Sequence, residues 1–212
     1  AWEVTRACAY ACVHCRADAQ PKPHPSELNT HEAFRLIDQL QRFGNNPILI
    51  FTGGDPIMRR DLNELIGYAA EKGLRCSLTP TATALPTRER LEKARVAGIK
   101  RIALSLDAPS PQVHDEFRQT PGSWRRTMDI LQNAQEAGLS VQVNTTVAKH
   151  NAEILSEMVP FIQDVHAVQW SLFFLVPTGR AQAEKMLLAE ENERLFHWLY
   201  DLAQVAPFDI KT

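Results

Sequence analysis

The 212-residue chain has the length of one large or two small globular domains. Hydrophobic residues make up 44% and charged residues 23%, which excludes a disordered or collagen-like chain. The formal net charge of −2 comes with no basic stripe, so we expect no nucleic-acid partner. The longest apolar run, Val168 to Val176, is interrupted by polar residues and is far shorter than the ~20 residues that a bilayer requires. The first residues lack a signal-peptide pattern, so we expect no membrane partner and a cytoplasmic location.

The chain alternates strands with helices. Short apolar runs predict six strands, at residues 3–5, 48–52, 75–79, 101–106, 141–147 and 169–176. Helical periodicity and capping residues predict helices between them, at residues 29–43, 61–72, 87–98, 123–138, 152–163 and 190–204. Asn29, Thr87 and Ser123 are the expected N-caps. This alternation predicts a parallel sheet in a single domain over residues 1–212, which we expect to belong to a longer chain because residues 208–211 are again strand-like.

Polar residues follow five successive predicted strands. They are Thr5 and Arg6; Thr52, Gly53, Gly54 and Asp55; Thr79 and Thr81; Ser105 and Asp107; and Asn144 and Thr146. In a parallel α/β barrel the chemistry lies at the carboxyl ends of the strands. A polar cavity shared by these strand ends is therefore expected. No Gly-x-Gly-x-x-Gly pattern opens a helix, so a dinucleotide-binding sheet is not supported.

Three of the four cysteines lie within eight residues. Cys8, Cys12 and Cys15 have the spacing C-x3-C-x2-C, which in a chain without a secretory signal indicates metal or redox chemistry. Thiolates suit iron–sulfur clusters and zinc, and a site with three protein ligands leaves one position open. A zinc site that adds His14 or His24 is the alternative. Cys76 has no neighbouring cysteine and is expected to be a core residue.

The cysteine segment Cys8-Ala-Tyr-Ala-Cys12-Val-His14-Cys15 resembles the signature of the radical S-adenosylmethionine (SAM) superfamily. Other segments match that family in order and spacing: Thr52-Gly-Gly-Asp55-Pro56, Leu104-Ser105-Leu106-Asp107, His114-Asp-Glu-Phe-Arg118 with Pro121-Gly-Ser123-Trp124, Val143-Asn144-Thr145 and Pro177-Thr-Gly179-Arg180. The resemblance is to the SPASM-type branch, whose members modify peptides, trim tetrapyrrole side chains in heme-type pathways or start molybdenum-cofactor synthesis.

This resemblance implies an α/β fold, a partial (β/α)6 TIM-like barrel that is open on one side. It further implies that Cys8, Cys12 and Cys15 ligate three irons of a [4Fe-4S] cluster, whose fourth iron takes the amino and carboxylate groups of SAM. Gly53 and Gly54 would let the backbone approach the methionyl group, because neither has a Cβ. Asp55, where the family more often has Glu, would accept a hydrogen bond from the SAM ammonium group.

The remaining implied SAM contacts come from the later strands. His14 would lie beside the adenine, Asn144 at the ribose, and Ser105 and Arg118 at the carboxylate and ribose side. Thr81 stands at the third strand end, where relatives often show Thr-Asn-Gly instead of Pro-Thr-Ala.

The implied reaction is reductive cleavage of SAM to methionine and a 5′-deoxyadenosyl radical, which takes a hydrogen atom from the substrate. The implied partners are a one-electron donor of the flavodoxin or ferredoxin kind and a peptide or tetrapyrrole-like substrate. The alternative function is a non-catalytic iron–sulfur or zinc-binding redox module that uses the same cysteines. The Gly53-Gly54-Asp55-Pro56 segment favours the enzyme, because an electron carrier needs no SAM pocket.

Overall fold

A computed structural model describes residues 1–44 and 47–212. Its sheet has parallel strands in sequential order, and their bounds are β1 Trp2–Thr5, β2 Ile48–Gly53, β3 Arg75–Leu78, β4 Ile99–Ser105, β5 Ser140–Val147, β6 Gln169–Phe174 and β7 Asp209–Lys211. The predicted parallel α/β architecture is confirmed. The strand-like residues 208–211, noted beside the six predicted strands, contain the short strand β7, which pairs with β6.

Helices separate the strands, and their bounds are α1 Thr30–Gln41, α2 Leu62–Glu71, α3 Arg88–Ala97, α4 Pro111–Arg118, α5 Ser123–Glu136, α6 Met158–Asp164 and α7 Ala189–Ala203. Asn29 caps α1 in a reciprocal capping box with Glu32, and Thr87 caps α3, as predicted. The predicted helix over 152–163 is a 3-10 turn, Ala152–Glu157, followed by α6. Within the described part of the chain, no helix is long and apolar enough to cross a membrane.

The main core lies between the sheet and the helices. Along β5, Val141, Val143 and Val147 are buried, while Gln142 and Asn144 between them are only half-buried on the opposite, inner face. This period of two separates an apolar outer face from a polar interior. Strands with one polar face therefore curve around a polar lumen whose carboxyl-end mouth carries the candidate site residues.

The barrel is open between its first and last strands. In the described residues β1 pairs with β2 and β7 pairs with β6, and no strand pairing joins β1 to β7. The sheet itself therefore does not set the distance between the loop that follows β1 and the loop that follows β6. That distance depends on side chains and loop backbone.

The start of α5 differs from the predicted cap. Ser123 is the first helical residue, and Gly122 holds the N-cap position with a φ of +77°. The capping carboxylate comes from α4: Asp115 accepts hydrogen bonds from Gly122 N at 2.5 Å, Ser123 Oγ at 2.8 Å and Trp124 N at 2.7 Å. Burial opposes ionisation of Asp115, but these three donors outweigh it and hold its pKa below the usual value.

We expect Asp115→Ala to lower the free energy of unfolding by about 1–2 kcal/mol, because α5 loses its capping acceptor. Since the folded pKa of Asp115 is lowered, its stabilisation is complete above the unfolded pKa of about 3.9 and disappears as the pH falls through the folded value. Chemical denaturation at pH 7 and pH 3 measures both effects. Asp129→Ala is the control, because it removes an exposed ion pair with Arg125 on the same helix and should change stability by less than about 0.5 kcal/mol. Equal effects of the two substitutions would contradict the capping role.

Candidate functional site

The cysteines lie on the loop that follows β1, here called the cysteine loop (residues 6–20). Its two ends are joined by hydrogen bonds from Cys8 N to Gln20 O and from Gln20 N to Arg6 O. Cys8, Cys12 and Cys15 line one cavity of about 170 Å³ at the mouth of the barrel. Among the described residues, no three His, Cys, Asp or Glu side chains converge closely enough to hold a single metal ion.

Location distinguishes the three cavity cysteines from Cys76. Desolvation raises the pKa of the Cys8 and Cys12 thiols, and the Arg118 guanidinium opposes that rise at Cys12. Cys76 lies in the main core on β3, as predicted, and burial raises the pKa of its thiol to about 11. Such a thiol is inert at neutral pH.

Gly53 and Gly54 line the cavity, but the structure gives a different reason for glycine there from the one that the sequence predicts. A Cβ at Gly53 would collide with the carbonyl oxygen of Thr5, and a Cβ at Gly54 would collide with that of Ala7. Gly54 N donates to Thr5 O at 2.9 Å, and Asp55 N donates to Ala7 O at 2.7 Å. The glycines thus let the β2 end press against the start of the cysteine loop.

The structure does not bring the Asp55 carboxylate into the cavity. Asp55 is fully buried, and its oxygens accept hydrogen bonds from Thr83 Oγ1 at 3.1 Å and Ile57 N at 3.2 Å. Burial raises its pKa, against those hydrogen bonds. The side chain therefore caps the short turn Pro56–Met58 and holds the loop after β3, while a hydrogen bond from the SAM ammonium group stays a prediction.

The other polar strand ends do meet at the mouth. Thr81 lines the same cavity, where its hydroxyl donates to Gly54 O at 2.8 Å and lies 3.6 Å from the Cys8 sulfur. Ser105 lines both this cavity and a neighbouring one of about 310 Å³. Asn144 lines the second cavity, and its side-chain oxygen accepts from Gln142 Nε2 at 2.8 Å. Of the predicted strand-end residues, those from the second to the fifth strand meet at these two cavities, whereas Thr5, Arg6, Asp55 and Asp107 line neither.

Arg118 lies in a buried ion pair. Its Nε donates to Asp107 Oδ2 at 2.7 Å, and its Nη1 lies 4.0 Å from the Cys12 sulfur. Burial opposes ionisation of Asp107, but the Arg118 guanidinium outweighs it and holds the pKa of that carboxyl well below its usual range. Removing Arg118 would leave the buried Asp107 carboxylate without its opposite charge and with a hydrogen bond from Thr146 N at 2.9 Å, and breaking such a buried pair costs about 3–5 kcal/mol in folded proteins. Arg118 is therefore both a structural group and a cation at the cavity.

His14, which lines the cavity, begins a stack of three rings. His14 stacks on Phe117 with ring centroids 3.8 Å apart, and Phe117 stacks on His150 at 3.7 Å. Burial lowers the pKa of His14 to about 3 and that of His150 to about 4, so both rings are neutral at pH 7. The buried atoms His14 Nδ1 and His150 Nε2 have no protein partner.

Arg180, on the loop after β6, contacts the cysteine loop, a role that sequence reasoning did not assign. Its Nε donates to Cys12 O at 2.9 Å, its Nη1 donates to Ala19 O at 2.8 Å, and its backbone N donates to Cys15 O at 3.0 Å. The only sequence signal was its place in the Pro177-Thr-Gly179-Arg180 segment, which matches the family.

An open parallel barrel with a three-cysteine loop after its first strand defines a class of iron–sulfur enzyme scaffold. The Radical SAM superfamily model matches residues 2–162, and the chain belongs to that superfamily. Members of this enzyme family use a [4Fe-4S] cluster and S-adenosylmethionine. The alternative of a non-catalytic redox module is therefore not retained.

Individual relatives agree with the family. The chain is 45% identical to the AdoMet-dependent heme synthase of Oleidesulfovibrio alaskensis. The alignment covers 100% of this chain and 54% of that protein. It is 35% identical, over 84% of its length, to 44% of the Fe-coproporphyrin III synthase of Methanosarcina barkeri. The chain thus spans about half the length of these relatives. SuiB of Streptococcus suis, solved with S-adenosylmethionine bound, shares the fold with a TM-score of 0.80 at 18% identity, covering 98% of this chain and 48% of that one.

We expect Gly54→Ala to lower the free energy of unfolding by about 1–3 kcal/mol, because the new methyl group would displace the backbone at Ala7. Gly67→Ala is the matched control: Gly67 lies within α2 with open space around it, so alanine should be neutral or stabilising. Chemical denaturation of both variants measures the difference. A Gly54→Ala chain as stable as the Gly67→Ala chain would show that the β2 end does not need this close approach.

Proposed function

We propose that this chain is the core of a radical SAM enzyme in which Cys8, Cys12 and Cys15 hold the [4Fe-4S] cluster and the cavity beside them holds SAM. The observation that carries the assignment is the convergence of the three thiols on one cavity that also contains Gly53, Gly54 and Arg118. The cavity lies at the carboxyl ends of the strands, where parallel barrels carry out their chemistry.

The donor set fits a cluster better than a single zinc ion. A zinc site needs its ligands within about 2.0–2.3 Å of one point, whereas a cluster accepts thiolates spread around a larger body. The three thiols line one cavity, and the segment that carries them lies within the match to a family whose members use a [4Fe-4S] cluster. Two buried nitrogen atoms of cavity-lining residues, His14 Nδ1 and Arg180 Nη2, are left without a protein partner, which is expected where a polar group is to be bound.

When bound, the cluster and SAM would supply one-electron reductive chemistry, fed by a flavodoxin- or ferredoxin-like donor, that leads to removal of a hydrogen atom from the substrate. The chain's own residues bind, orient and exclude water. Arg118, kept cationic and in place by Asp107, offers its remaining N–H groups to the SAM carboxylate. Ser105 and Asn144 offer polar groups to the ribose, Thr81 holds the Gly54 carbonyl, and His14 offers a neutral ring face to the adenine.

We further propose an iron-tetrapyrrole substrate in preference to a peptide. The relatives with the higher identities, 45% and 35%, are named as heme and Fe-coproporphyrin III synthases, whereas the peptide cyclase among the relatives is 29% identical. The second cavity supports this choice. Its lining includes Phe173, which is 55% exposed, Phe174, and Arg16, whose guanidinium pairs with Glu3 of the same lining. The aromatic rings would match an apolar macrocycle.

We expect Cys12→Ala to abolish the cluster and Cys76→Ala to retain it, because Cys12 lines the cavity and Cys76 lies in the core. Iron and sulfide content and the EPR spectrum after anaerobic reconstitution measure this directly. Loss of the cluster in Cys76→Ala together with its retention in Cys12→Ala would mean that the cluster is bound elsewhere.

We expect Fe-coproporphyrin III, added with SAM and dithionite to the anaerobically reconstituted protein, to increase the formation of 5′-deoxyadenosine. A peptide substrate of a related cyclase should leave the rate at the level seen without substrate. The Cys12→Ala protein gives the background rate. A response to the peptide and none to the iron porphyrin would overturn the substrate proposal while leaving the cluster assignment intact.

A further inference from the structure

Arg180 joins two loops that the sheet does not join. It lies after β6, whereas its partners Cys12 and Ala19 lie on the loop after β1, and the hydrogen bond from its Nε to Cys12 O links residues 168 positions apart in the chain. In the described residues no strand pairing closes the barrel between these two loops. The contact therefore spans the open side of the barrel.

The contact between the two loops is close. Gly179 has a φ of +61°, and a Cβ there would collide with the carbonyl oxygen of Cys15. The Arg180 backbone N donates to that same carbonyl at 3.0 Å, and its Nη1 also pairs with Asp18 at 3.1 Å. The backbone carbonyls of Cys12 and Cys15 are thus held by Gly179 and Arg180 together.

One nitrogen of the Arg180 guanidinium, Nη2, makes no hydrogen bond to the protein. Its Nε and Nη1 are occupied by the cysteine loop, while Nη2 is buried and has no protein partner. Arg180 lines the cavity that the three thiols share. A buried N–H of a charged group is costly to leave unpaired, so a polar acceptor is expected next to it.

We propose that Arg180 is a positioning residue for the cluster: it fixes the Cys12 and Cys15 backbone across the open side of the barrel and directs its Nη2 donor and positive charge at the cluster. This inference rests on the proposed cluster assignment. A cation and a hydrogen-bond donor beside the cluster sulfurs stabilise the reduced state, which carries one more negative charge. Arg180 would thereby ease the one-electron reduction that starts the reaction.

The test compares Arg180→Gln with Arg6→Gln. Arg6 also holds the cysteine loop, through Nη2 hydrogen bonds to Ala17 O at 3.0 Å and Asp18 O at 2.9 Å, but it is not among the residues that line the cavity. Arg6→Gln therefore controls for loosening of the loop. The readout is the midpoint potential of the reconstituted cluster, measured by EPR-monitored redox titration without SAM.

We expect Arg180→Gln to disfavour reduction at least about tenfold, a shift of about 59 mV to more negative potential for a one-electron couple. Arg6→Gln should change the reduction equilibrium of the cluster less than about twofold. The corresponding shift in potential is much smaller than the ~59 mV of a tenfold change. A cluster-loaded Arg180→Gln protein with the wild-type potential, or equal shifts in both variants, would overturn the inference. Either result would leave the cysteine assignment standing, since only failure of the cysteine variants refutes that.

If Arg180→Gln does not assemble the cluster, the positioning role is tested on the cluster-free proteins. Amide hydrogen exchange of the cysteine loop is then compared between Arg180→Gln and wild type. Peptides that cover residues 9–20 should exchange faster in Arg180→Gln than in wild type, because the carbonyls of Cys12 and Ala19 lose the guanidinium that binds them across the open side. Unchanged exchange there would overturn the inference.

Discussion

The close approach of other strand ends to the cysteine loop is the constraint on which the rest of the site depends. The backbone at Thr5 and Ala7 accepts hydrogen bonds from the β2 end, and the carbonyls of Cys12 and Cys15 accept from Arg180. These contacts need glycine at positions 53, 54 and 179. A Cβ there would collide with the carbonyl oxygen of Thr5, Ala7 or Cys15, respectively. A loop that must hold three thiols around one volume is thereby made rigid by its neighbours.

The two arginines that line the cavity are each paired with an aspartate. Arg118 is neutralised by the fully buried Asp107, and Arg180 by the half-exposed Asp18, yet both guanidinium groups line the cavity. The neighbouring histidines His14 and His150 stay neutral because burial lowers their pKa. The cavity is therefore lined by two arginines, each held by an ion pair with an aspartate.

Local signals in the chain predicted the fold well, and they were wrong where a distant residue took over a local role. Asn29 and Thr87 cap their helices because an N-cap needs only a side chain and the next three residues. Ser123 has the right chemistry, but Asp115 from the preceding helix offers a charged acceptor and displaces it. The short β7 forms only because β6 offers a free edge beside it.

The sequence alone determined the class of protein, because cysteine spacing and the order of the strand-end motifs are properties of the chain itself. It also identified most residues that meet at the mouth, since parallel strands bring their carboxyl ends to one edge. Only the tertiary structure decided what those residues touch. Asp55 turns into the core, Gly53 and Gly54 make room for backbone and not for a ligand alone, and Arg180 spans the open side of the barrel. These outcomes depend on contacts between segments far apart in sequence, whose distances no local pattern encodes.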